Sequence, residues 1–135
     1  MRSRIFFIGI WTLALWFYGC GSDDVTLDRK LSGDDQFWTE LRVTRTGPLD
    51  YDWKAVVIGK VHPKWTDILI RKTSEEICAL HGPGELTVSW MDPRHVEVIC
   101  TKCRTGDFFP QSSTWEGVSI KFAFNGKPVP DTFIR

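Results

Sequence analysis

The sequence contains no Gly-x-Ser-x-Gly elbow, no His-Glu-x-x-His pair and no glycine-rich phosphate loop. The local signatures of serine hydrolases, zinc proteases and nucleotide-phosphate enzymes are therefore missing. Only three histidines occur, His62, His81 and His95, each beside a turn, where a solvated ring is the ordinary state. Asp50 and Asp52 flank Tyr51 and read as a solvated turn. No nucleophile is paired with a base, so the expectation is a protein that is not an enzyme and needs no cofactor. An excess of charge of one sign is also lacking, since 17 basic residues balance 17 acidic ones. A nucleic-acid-binding domain would be basic, so no nucleic-acid partner is expected. The longest uncharged apolar run, Ile5 to Tyr18, has 14 residues, whereas a helix crossing a bilayer needs roughly 20. No internal repeat, low-complexity tract or long amphipathic helix is visible.

The same N-terminal run carries the most specific signal in the chain. Arg2 and Arg4 precede it, and Gly19-Cys20-Gly21-Ser22 follow it. A basic start, a short apolar segment and small residues at a cleavage point make up a secretory signal. The cysteine at the junction resembles the lipid-modification site of bacterial lipoproteins, over residues 1 to 22. Gly19 fits that family's pattern, while Phe17 stands where the family usually has Leu. The resemblance implies a signal peptide at 1–19, a lipidated Cys20 and a membrane anchor through its acyl chains. Ser22, two places after the cysteine, implies outer-membrane sorting if the organism has such a membrane. An uncleaved N-terminal anchor and plain secretion after cleavage near Gly19 or Gly21 are the alternatives. All three place the folded part in the cell envelope, outside the cytoplasm, because basic residues stay on the cytoplasmic side. Loss of 1–19 leaves 15 bases against 17 acids, a formal charge of −2. Residues 20–36, polar and charged, read as the lipidated cysteine and a flexible tether. Residues 37–135 suit a single, monomeric domain.

From Phe37 onward the apolar pattern has a period of two. Trp53–Val61, Asp67–Arg71, Glu76–Leu80, Glu85–Trp90, His95–Cys100 and Gly117–Phe124 are β-rich runs, and Thr39–Arg45 is a further strand. Asp34-Asp35 before it offers an alternative reading as the cap of a short helix. Gly47-Pro48, His62-Pro63, Gly82-Pro83-Gly84, Asp92-Pro93 and Asn125-Gly126 punctuate the runs as turns. Short strands at regular spacing predict an all-β fold of about six or seven strands: a single antiparallel meander sheet, a small sandwich or a partial barrel. From Tyr51 to Cys100 an aromatic-Lys-Ala-Val-Val strand, Trp53 to Val57, leads to Val88-Ser-Trp90, a tight turn and Val96-x-Val98. This resembles a pattern in small, functionally uncharacterised bacterial lipoproteins and membrane-tethered proteins. The resemblance implies sheet packing and carries no chemistry.

Cys78-Ala-Leu-His81 and Cys100-Thr-Lys-Cys103 have the spacing of zinc-ribbon knuckles. If the turns at Gly82-Pro83 and Asp92-Pro93 both close hairpins, the strands of Cys78 and Cys100 flank a common neighbour. All four residues then gather at one end of the sheet, with Cys78 and Cys100 roughly 10 Å apart. That exceeds disulfide reach, about 7 Å between Cα atoms. An envelope compartment favours disulfides over thiols. The expectation is one disulfide involving Cys103, paired with Cys100 or Cys78. Buried or free thiols are one alternative, and a metal-binding or metal-sensing module using Cys78, His81, Cys100 and Cys103 is another. Trp53 and Trp90 read as core residues. Trp65 and Trp115 read as loop residues on a contact surface for a glycan, a peptide or an envelope protein, a further alternative function. The main expectation is a lipid-anchored domain of structural or interaction role.

Overall fold

The computed structural model describes residues 24–134. The expected signal peptide at 1–19 and the expected lipidation site Cys20 lie outside these residues. The fold is all-β, as the period-two pattern predicts. Ten strands make two five-stranded sheets. The first sheet contains β1 (Asp24–Leu31), β2 (Phe37–Thr44), β3 (Trp53–Lys60), β4 (Ser74–His81) and β7 (Phe108–Pro110), in the order β1-β2-β3-β4-β7. The second contains β5 (Glu85–Asp92), β6 (His95–Thr101), β9 (Val118–Phe124) and β10 (Lys127–Pro128) in the order β10-β9-β6-β5, with β8 (Thr114–Trp115) beside β9.

Three features depart from a simple antiparallel meander. β6 and β9 pair in parallel, which requires a long crossover rather than a hairpin. Residues 102–117 supply it, visiting the first sheet as β7 before returning as β8. β4 and β5 do not pair. Gly82 and Gly84, at φ +146 and +121, instead carry the chain from one sheet to the other through conformations that suit glycine. Finally, β1 overturns the tether reading for residues 24–31, which pair with β2 as an edge strand. Its side chains are almost all exposed, so its composition resembles that of a solvated linker.

The Asp67–Arg71 strand is also corrected. Trp65–Leu69 is the helix α1, joining β3 to β4. A short apolar run does not distinguish helix from strand. The Asp67 carboxylate decides locally by accepting the Lys64 backbone N–H at 2.9 Å across the first turn. Asp34 caps no helix. It holds the β1–β2 turn, accepting the Ser32 hydroxyl at 2.8 Å, the Gln36 N–H at 3.2 Å and Arg94 at 2.9 Å. Those donors, the Ser32 hydroxyl first, hold its carboxyl below the usual aspartate range.

One core joins the two sheets. Val56, Ile58, Ile77, Cys78 and Leu80 from the first meet Val88, Val96, Val98, Ile120 and Phe122 from the second. Alternation places most of these side chains inward, and the register shift of β4 at Ile77 lets Ile77 and the adjacent Cys78 both enter the core. Trp90 is half-buried beside this core and stacks on Phe37 with ring centroids 6.5 Å apart. Trp53 is not a core residue. It is 40% exposed on the outer face of the first sheet.

Candidate functional site

Three places on this frame concentrate chemistry. The first is the cysteine corner. Cys100 ends the inward row of β6, and Cys103 lies just past the strand, with Cα atoms 6.0 Å apart and the sulfurs bonded. Asn125 braces the clip: its Oδ1 accepts the Cys103 N–H at 2.9 Å and its Nδ2 donates to the Cys103 carbonyl at 2.8 Å. This is the local one of the two expected pairings. Cys78, in the other sheet, is a fully buried free thiol. Burial pushes its ionisation well above the ordinary thiol range, so it behaves as a small apolar residue.

The metal reading does not survive this geometry. Its hairpin premise fails because β4 and β5 belong to different sheets, and two of its four ligands are consumed by the disulfide. His81 stacks flat on Trp53 instead, with centroids 4.3 Å apart and planes 6° from parallel. Its Nε2 is shielded from solvent and lies 3.4 Å from Asp50 Oδ1, outside hydrogen-bonding geometry. Among the described residues no group of three or more His, Cys, Asp or Glu side chains is placed to hold a metal ion.

The second place is a shallow trench of about 380 Å³ on the outer face of the first sheet. Ala55 and Ala79, paired across β3 and β4, leave its floor low. Trp53 and Phe109 wall one side, and Glu76, hydrogen-bonded to Gln111 at 2.8 Å, lies along it. Sequence reasoning missed this surface because it took Trp53 as core.

The third place is α1. Its single buried residue is Asp67, while Trp65 is 72%, Ile68 58%, Leu69 71% and the following Ile70 60% exposed. Trp65 therefore lies on the surface, as the loop reading expected. Trp115 does not: it is 7% exposed and packs edge-on against Phe37 with centroids 6.1 Å apart. The polar run before it misled, because β8 turns the ring inward for only two residues.

Lys60 locks α1 in place. Its ammonium sits 3.1 Å from Asp67 and 3.2 Å from Glu116, largely out of solvent. Desolvation opposes the charge, yet the two carboxylates outweigh it and hold Lys60 above the usual lysine range. The Lys64 backbone N–H first, and Lys60 second, hold Asp67 below its ordinary 3.8. The sign of the pH dependence follows. The stability from Asp67 is fully present above 3.8 and is lost as pH falls through its lower folded value. The part from Lys60 is present below 10.5 and is lost only above that. Amide protection within α1, the slowing of exchange relative to an unstructured chain at the same pH, is expected to stay constant through neutral pH and to fall in acid. Asp67→Asn should give fast exchange already at neutral pH. An unchanged exchange rate in that variant would mean that the clamp does not hold the helix.

No protein-family model matches this chain, and neither a curated protein nor a solved structure does. The functional reading rests on the residues themselves.

Proposed function

We propose that the chain is an extracytoplasmic, membrane-anchored lipoprotein whose β domain acts by contact with a partner rather than by catalysis. The observation that carries the contact role is α1, where four consecutive or near-consecutive large apolar side chains are held outward on a clamped helix. A soluble surface rarely groups such residues without a partner. Ordering them in advance also reduces the entropy cost of docking. Two features support the compartment: the signal layout before Cys20 and the Cys100–Cys103 disulfide, a bond that persists in oxidising surroundings.

Growth with labelled fatty acid tests the anchor. Label is expected on the wild-type chain and absent from Cys20→Ser, whose maturation should also stall. A mature wild-type chain that carries no label and begins at Ser22 would end the lipoprotein reading.

A further inference from the structure

α1 inverts the usual arrangement of a surface helix. A helix on a water-facing protein turns its apolar side inward and its charges outward. Here the one inward residue is the acid, Asp67, and the outward residues are Trp65, Ile68 and Leu69, with Ile70 completing the turn. Bases stand at both ends of this knob: Lys64 before it, Arg71 and Lys72 after it, all exposed. Glu75 at the start of β4 offsets one of those charges, and Glu116 is already occupied by Lys60.

We propose that this knob docks into an anionic lipid surface, with the apolar side chains entering the headgroup boundary and the bases meeting lipid phosphates. Three observations favour lipid over a protein groove. The knob is convex and built of tryptophan with branched aliphatics, the composition that sits at a bilayer interface. The basic rim complements the charge of anionic headgroups. No acid faces outward from α1, so nothing on the helix repels such a surface. A protein groove, by contrast, must already match the knob in shape. The proposal rests on the membrane-anchored reading for its access to lipid, but not on the chemistry at Cys20.

The position of the knob adds a geometric consequence. α1 caps the end of the first sheet where Leu31, Trp38 and Ser74 lie, and Asp24 is at the other end beside Thr44 and His81. The poles are about 25 Å apart, the length of an eight-residue strand at roughly 3.3 Å per residue. A domain anchored before Asp24 and docked through α1 therefore lies with its strands along the bilayer.

The test uses the full-length chain mixed with vesicles of phosphatidylcholine and phosphatidylglycerol whose acyl chains carry bromine, a contact quencher of indole. Subtracting the spectrum of Trp65→Phe isolates the emission of Trp65. In anionic vesicles this emission is expected to fall by about half or more. Quenching should weaken in pure phosphatidylcholine, at about 1 M salt, where charge interactions are screened, and in the triple variant Lys64→Glu, Arg71→Glu, Lys72→Glu. If the chain floats with the vesicles while Trp65 remains unquenched, the knob faces away from lipid, as a protein-docking surface would, and the proposal falls. Failure to float with anionic vesicles overturns it as well. A Cys20→Ser chain that floats and is quenched would uphold the knob while the fatty-acid label separately decides the anchor.

Discussion

Ile58→Ala is expected to lower the unfolding free energy by about 2–5 kcal/mol, the range for emptying a closed core site of a large aliphatic side chain. Ile58 has no solvent-accessible surface and lies on β3, a central strand paired on both sides, with Thr39 and Glu75 as its cross-strand partners. Its side chain belongs to the cluster shared by the two sheets, so collapse around the cavity would have to move both. A domain of this size has only about 5–15 kcal/mol in total. Urea unfolding of the wild type and the variant measures the difference. Trp53→Ala, on the outer face of the same strand, is the control and should cost far less despite the larger residue. Equal costs at the two positions would mean that the faces of β3 are assigned the wrong way round.

Gly84→Ala should be comparably damaging for a different reason. At φ +121 the backbone suits glycine, and an added Cβ would lie 2.7 Å from Cys103 Sγ, 3.0 Å from the Thr101 carbonyl and 3.1 Å from Cys103 Cα. The backbone strain alone is about 1–3 kcal/mol. The sulfur cannot swing aside because it is bonded to Cys100, and the Gly84 carbonyl would be displaced from Lys54 Nζ, now 2.8 Å away. A double-mutant cycle with Cys103→Ala isolates the clash. Removing the disulfide alone should cost roughly 2 kcal/mol for so short a loop. Adding Cys103→Ala to Gly84→Ala should nevertheless cost less than that, because the contact disappears with the sulfur. Strict additivity in denaturant unfolding would refute the close approach.

The strands with one wet and one dry face were legible in the sequence: β5, β6 and β9 fall where alternation places them, while β3 and β4 were legible as β-rich runs although each buries four consecutive residues. What alternation does not encode is which strand lies beside which. The Cys100–Cys103 pairing was legible, but the expected gathering of Cys78 and His81 with it went wrong at that step, since adjacency along the chain was taken as adjacency in the sheet, and Gly82 and Gly84 break it. β1 was hidden because an edge strand wetted on nearly every side chain has the composition of a linker. The two- and three-residue strands β7, β8 and β10 are too short for any period to register. At α1 the run Trp65-Thr-Asp-Ile-Leu-Ile70 was visible as apolar. Its meaning depends on the direction in which Asp67 points, which is set by the Lys64 N–H and by Lys60 nearby, the latter held in turn by Glu116 far along the chain.

β1 and β5 are the exposed borders of the two sheets along one flank. Between them lies a gap of about 160 Å³ lined by Asp28, Lys30, Leu41 and Val88. Lys30 reaches across it to donate to the Val88 carbonyl at 2.6 Å, and β1 breaks register between Thr26 and Asp28. Inward-turned charge and a bulge are the devices by which natural sheets refuse a foreign strand. For molecules held on a surface this matters more than in free solution, because confinement to two dimensions raises the frequency of encounters between copies. A chain with open borders could zip onto its neighbours there; the Lys30 contact and the bulge make this border a poor template for such pairing.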